Sequence, residues 1–133
     1  EKPVYDRMTE GLKLSAVDYS NALRAQENWK RTLQALFAEV DVLLSPTLPS
    51  LVPPIEEDKS LLEATKNATR NTYAGAFGQI PGLSVPCGFS ADGMPIGLQL
   101  EAAWWHDPLL LQVGAAYQER TDWHLRQPPL TEN

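Results

Sequence analysis

Apolar residues recur at three- and four-residue steps through the first third of the chain. Ala22, Trp29, Leu33, Leu36, Phe37 and Val40 fall along one helical stripe, with Glu27, Lys30, Arg31 and Gln34 mostly between them. This spacing predicts an amphipathic helix over about 16–40 with one face to bury. Ser15, followed three residues later by Asp18, is a capping signal at its start.

The period then changes. Asp41-Val42-Leu43-Leu44-Ser45-Pro46 is a short apolar run closed by proline, and it reads as a strand buried on both sides. Pro46, Pro49, Pro53 and Pro54 exclude helix and central strand, so an extended loop follows. Residues 60–71 predict a second helix, with Leu61, Leu62 and Ala68 among its apolar positions. Residues 72–81 are small and aperiodic, and read as a loop or a frayed helix end.

Residues 83–89 and 96–102 predict a hairpin turned at Asp92-Gly93. Pro86 has no amide to give to a ladder, so an edge position or a bulge is expected there. Asp107 is expected to cap a last helix with Pro108 in its first position. Leu109, Leu110, Val113, Ala116 and Tyr117 would form its buried face.

The order helix, strand, helix, hairpin, helix makes a mixed α/β piece. A single segment, 1–133, is expected, with 1–14 and 127–133 as loose ends. So small a sheet is expected to belong to a larger one. A first residue other than Met adds the expectation of a processed chain or an excerpt.

Charge removes several function classes. The formal net charge is −6, and the 11 basic residues are scattered, which leaves no basic face for nucleic acid or an anionic membrane. No apolar run approaches the roughly 20 residues of a membrane span. The single cysteine, Cys87, allows no internal disulfide, and a cytoplasmic setting is the simplest expectation. One Cys and two His cannot build a Cys-rich zinc site, and neither a metal nor a cofactor is expected.

Catalytic groups are hard to find. Cys87 would need a base such as His106 beside it, and nothing in the sequence brings the two together. A lone Cys in an apolar strand reads as a small buried hydrophobe. His106 and His124 have no partners at useful spacing and read as surface or capping residues. The adjacent Trp104 and Trp105 follow the hairpin and could border a pocket, whereas Trp29 and Trp123 read as packing residues. Thr47, Thr69, Thr72, Tyr73 and Phe77 are further candidates for a pocket wall.

Three stretches carry a family resemblance. Asp41-Val42-Leu43-Leu44-Ser45-Pro46-Thr47-Leu48-Pro49 resembles a strand and loop of the amidase signature family. Ile80-Pro81-Gly82-Leu83-Ser84-Val85-Pro86-Cys87-Gly88-Phe89 and Asp92-Gly93-Met94-Pro95-Ile96-Gly97-Leu98-Gln99-Leu100 resemble its two later segments, in the same order. The resemblance implies the C-terminal part of the amidase-signature mixed-sheet fold.

It also implies an amide hydrolase with a Ser–Ser–Lys triad and a glycine-rich oxyanion loop, both upstream of this segment. The chain has no Gly-Gly-Ser-Ser-Gly run, and Lys2, Lys13, Lys30, Lys59 and Lys66 match no triad position. No catalytic residue is therefore expected here, and the isolated piece is expected to be inactive. Its expected part is core sheet and substrate-pocket wall, with Thr69, Thr72, Tyr73, Phe77 and Trp104 as candidate substrate contacts. The expected partners are a small-molecule amide and the rest of the amidase chain, with a homodimer left open.

Thr69 stands where the resemblance places an Asp in the A-type subunits of glutamine-dependent amidotransferases, which favours a general amidase over that branch. Gln79 stands at a usual Gly, and Ala76 at a common Asn. Two alternatives remain open: an A-type amidotransferase subunit, and a non-catalytic binding or assembly module on the same scaffold.

Overall fold

The structure is a computed structural model that describes residues 2–52 and 61–127. The long helix, α2 (Ala16–Leu36), follows a first helix, α1 (Lys2–Glu10), and a 3-10 turn at Gly11–Lys13. The segment expected as a loose N-terminal end is thus mostly helical, with Val4, Tyr5 and Met8 exposed. The capping signal before α2 is realised in full. Ser15 Oγ accepts from the Asp18 amide at 3.1 Å, and the Asp18 carboxylate accepts from the Ser15 amide at 3.1 Å.

Helix α2 ends a turn earlier than its apolar pattern suggests. Residues 37–39 form a turn, and Leu36 and Val40 stay 37% and 39% exposed. Only Leu33 of this helix is buried; Trp29 and Phe37, one turn either side, are half-buried, and Ala22 is exposed. The stripe that packs is therefore narrower than the stripe that is apolar.

Three strands follow: β1 (Val42–Pro46), β2 (Gly82–Phe89) and β3 (Pro95–Ala102). They form an antiparallel sheet in the order β1-β3-β2, so the last strand is the centre. Val42 pairs with Ala102, Ser45 with Gln99, Ser84 with Gln99, and Gly82 with Glu101. The register slips between Pro86 and Gly88, which leaves Cys87 as the extra residue of a bulge on an edge strand. This is the compromise the proline was expected to force.

Between β1 and β2 lie α3 (Leu61–Ala68) and α4 (Tyr73–Gly78). Residues 53–60, with Pro53, Pro54 and Ser60, lie outside the described residues. The short helix α4 replaces the loop or frayed end expected over 72–81. Its Ala and Gly residues carry no hydrophobic periodicity, yet they let it lie close to its neighbours. Gln79 ends it at φ 58°. The Gln79 amide donates to Ala76 O and the Ile80 amide to Gly75 O, which closes a left-handed helix terminus.

The last helix, α5 (Asp107–Gln118), starts one residue earlier than expected, with His106 at the cap and Asp107 inside. No side chain caps it, so the capping role assigned to Asp107 is not realised. Leu110 and Gly114 are its buried positions, and Ala116 is exposed. A terminal 3-10 turn, Trp123–Leu125, places Trp123 against Phe89 with ring centroids 6.1 Å apart, and Arg126 lies over both rings. The tail expected as loose over 127–133 lies, beyond Gln127, outside the described residues.

The sheet has two unlike faces. On one, Leu98, Leu100 and Ala102 of β3 meet Leu110 and Val113 of α5, with Val42 and Leu83 alongside. On the other, Gln99 and Glu101 share a cleft with Gly75 and Ala76 of α4, which in turn packs on α2, while Gly97 lies against Thr47 and Ser84. Leu44 is 65% exposed, so β1 is not buried on both sides as its apolar run suggested. The chain exposes 10678 Å², against about 7000 Å² for a compact monomer of this size. Among the described residues, Leu12, Val17, Leu44, Leu111 and Leu125 are each more than 60% exposed.

Candidate functional site

The alternation of β3 decides where polar groups can collect. Its odd positions face away from the α5 core, and they carry Gln99 and Glu101. Beside them, across the ladder, stands Ser84, and Thr47 follows β1. Helix α4 closes the space from above with Gly75 and Ala76, and Thr72 precedes it. The result is a cleft of about 300 Å³, lined by Thr47, Thr72, Ser84, Gln99 and Glu101 among others.

Hydrogen bonds fix most of this wall. Thr47 Oγ1 and Ser84 Oγ lie 2.6 Å apart. Gln99 is 5% exposed, and its amide donates to Asn71 O at 3.3 Å. Asn71 Nδ2 donates in turn to Pro46 O at 2.8 Å, tying the segment before α4 to the end of β1. Thr72 Oγ1 donates to Thr69 O at 2.9 Å.

Glu101 is the exception. It is the one charged residue of the lining, and among the described residues no cation pairs with it. Burial raises its carboxyl above the ordinary value of 4.5, while a hydrogen bond from Gln99 works the other way. The backbone makes room for it, because a Cβ on Gly75 would collide with Glu101 Oε1.

The raised carboxyl has a consequence for stability. The folded chain holds the Glu101 proton more tightly than the unfolded chain, so this group favours folding below about pH 4.5. That contribution is lost as pH rises through the folded value. Glu101→Gln removes the dependence. Urea midpoints at pH 4 and pH 8 should show the variant gaining on the parent chain at the higher pH. An equal difference at both would contradict the shift.

A second cleft of about 260 Å³ lies beyond α4, lined by Gln79, Ile80, Pro81, Trp104, Trp105 and Asp107. Trp104 Nε1 donates to Gly78 O at 3.0 Å, which fixes its ring on the end of α4. Trp105 is 91% exposed and sits at φ 68°, a costly conformation for a bulky residue.

The residues singled out in the sequence thus divide. Thr72 lines the first cleft and Trp104 the second. Thr69 turns its hydroxyl onto Thr65 O at 2.8 Å. Tyr73 and Phe77 are 50% and 42% exposed and line neither cleft. Gln99 and Glu101 were missed, although the alternation of Leu98, Leu100 and Ala102 with Gln99 and Glu101 marks them as the opposite face.

No group in the first cleft is an activated nucleophile. The Thr47 and Ser84 hydroxyls hydrogen-bond each other, and among the side chains of the described lining no His or Lys stands ready to activate either of them. Cys87, in its bulge, lies outside both clefts. No group of His, Cys, Asp and Glu among the described residues could hold a metal ion. No described helix is long and apolar enough to cross a membrane.

Comparison with known proteins extends well beyond the motifs. The profile of the Amidase family matches residues 3–111. The A-type subunit of glutamyl-tRNA(Gln) amidotransferase from Gloeothece citriformis (strain PCC 7424) is 37% identical over 114 residues, which is 86% of this chain and 24% of that protein. A crystal structure of an amidase aligns with TM-score 0.77 at 27% identity, over 90% of this chain and 29% of that one. The structure of 6-aminohexanoate cyclic dimer hydrolase shares the fold, with TM-score 0.79 at 22% identity over 94% of this chain and 29% of that one. The chain spans about a quarter of the length of its curated relatives. Since the family profile covers most of its residues and the sheet and helices superpose on a solved amidase, this chain belongs to the amidase family.

Proposed function

We propose that this chain is the C-terminal part of an amidase that hydrolyses a carboxamide C–N bond. The observation that carries the reading is the family match over residues 3–111, joined to three ordered motifs. The Ser–Ser–Lys machinery would lie upstream. There a serine attacks the amide carbonyl, the amine leaves with a proton relayed through the second serine and lysine, and water releases the acyl group. Backbone donors would stabilise the oxyanion.

In this reading the present segment supplies core sheet and one wall of the substrate pocket. Thr72 borders the polar cleft and Trp104 the neighbouring one. Thr69 backs Thr72, accepting its hydroxyl at the carbonyl oxygen. Tyr73 and Phe77 offer exposed rings to the substrate or to the upstream chain. The setting is cytoplasmic, and no cofactor takes part.

A second reading is favoured by the 37% identity to an A-type amidotransferase subunit. The whole protein would then release ammonia from glutamine for a partner chain. Thr69, at the position of an expected Asp, weighs against it.

Ammonia release by the full-length protein separates the two. Hydrolysis of simple carboxamides without preference for glutamine supports the amidase. Glutamine-dependent release with a co-purifying second chain supports the amidotransferase. A full-length protein with no Ser pair and no upstream Lys would overturn both.

A further inference from the structure

We propose that Glu101 is a specificity-determining residue that selects ligands with a cationic nitrogen for the cleft between β3 and α4. The inference rests on the pocket-wall reading above and deepens it. Three observations carry it.

The first is composition of the cleft. Its other side-chain lining is neutral, so Glu101 alone sets the charge there. A carboxylate partly withdrawn from water, with no cation among the described residues, is an unmet electrostatic demand.

The second is space. Gly75 is buried, and any side chain there would run into the Glu101 carboxylate. The fold thus reserves the volume that the carboxylate occupies. The third is support. Gln99, 5% exposed and anchored on Asn71 O, stands two residues away on the same strand face. An alkylammonium or guanidinium could donate to Glu101 while Thr47, Thr72 and Ser84 accept or donate around it.

The test uses the full-length protein. Two amides of equal size are compared, one bearing a primary ammonium and the other a hydroxyl in its place. Glu101→Gln should lower the ratio of kcat/KM for the cationic over the neutral amide by about tenfold, the usual scale of one charge-assisted hydrogen bond. Gly75→Ala, which displaces the carboxylate, should lower it in the same direction. A ratio unchanged within twofold in both variants overturns the assignment.

Binding is measured in parallel with n-butylammonium against n-butanol by NMR titration. If the parent enzyme hydrolyses neither amide, the hydrolase reading is at fault, and binding alone decides the role of Glu101. Preference for the ammonium that disappears in Glu101→Gln supports it. Equal binding by parent and variant sinks it.

Discussion

Replacing Leu100 with alanine is expected to cost the chain about 2–5 kcal/mol of folding stability. Leu100 is 1% exposed at the middle of the central strand. Its cluster with Ala102 and Leu110, flanked by Val42, Leu83, Leu98 and Val113, joins the sheet to α5. Removing its isobutyl group both returns apolar transfer energy and opens a cavity between two elements that cannot close without moving each other. The molecule exposes so much surface that its margin is small, and a loss of this size should leave it with secondary structure but without fixed packing. Leu44 makes the control. It pairs with Leu100 across the ladder, yet it is 65% exposed, so Leu44→Ala should change stability by under about 0.5 kcal/mol. Urea denaturation followed by near-ultraviolet circular dichroism would show both. Leu44 and Leu100 share the α5 face, so similar losses at the two positions would mean that Leu44 is covered as fully as Leu100, against its exposure here.

The contrast between Leu44 and Leu100 also shows what a sequence can and cannot reveal. The apolar run around Leu44 announces a strand, because chemistry and length suffice for that. Which of its faces is covered depends on what lies opposite, and no periodicity encodes it. The same holds for the stripe through α2, where Leu36 and Val40 are as apolar as Leu33 yet stay 37% and 39% exposed while Leu33 is 2% exposed. Local signals fared better. The Ser15–Asp18 box, the Asp92-Gly93 turn and the bulge beside Pro86 are written in a few adjacent residues, and each is realised. Helix α4 was illegible for the opposite reason. Its Gly and Ala residues serve closeness to neighbours, and closeness leaves no hydrophobic period. The polar cleft has the same character. It draws Thr47, Ser84, Gln99 and Glu101 from the sheet and Thr72 from the segment before α4, so it exists only once the register is set.

A small change at the end of α4 would introduce strain that its buried neighbours cannot relieve. A Cβ on Gly78 would collide with Leu33 Cδ1 and lie 3.2 Å from Trp29 Nε1. Both neighbours belong to α2, and Leu33 is the most buried residue of that helix, so it has nowhere to turn. The surrounding hydrogen bonds hold the two helices at this distance. Trp29 Nε1 donates to Ala74 O at 2.8 Å, Gln26 to Phe77 O at 2.8 Å, and Lys30 Nζ to Gln79 Oε1 at 2.7 Å. Gly78→Val must therefore either displace α2 and stretch these bonds or shift α4 and disturb the carbonyl that holds Trp104. Overpacking of this kind should cost about 3 kcal/mol. Trp29, half-buried in the parent chain, should become more exposed, with a red-shifted emission. A double variant distinguishes collision from other causes. Leu33→Ala removes the methyl that the introduced valine would meet, so Leu33→Ala with Gly78→Val should lose less than the sum of the two single losses, by about 1 kcal/mol or more. Strict additivity would show that the close approach of α4 to Leu33 is not what glycine serves at this position.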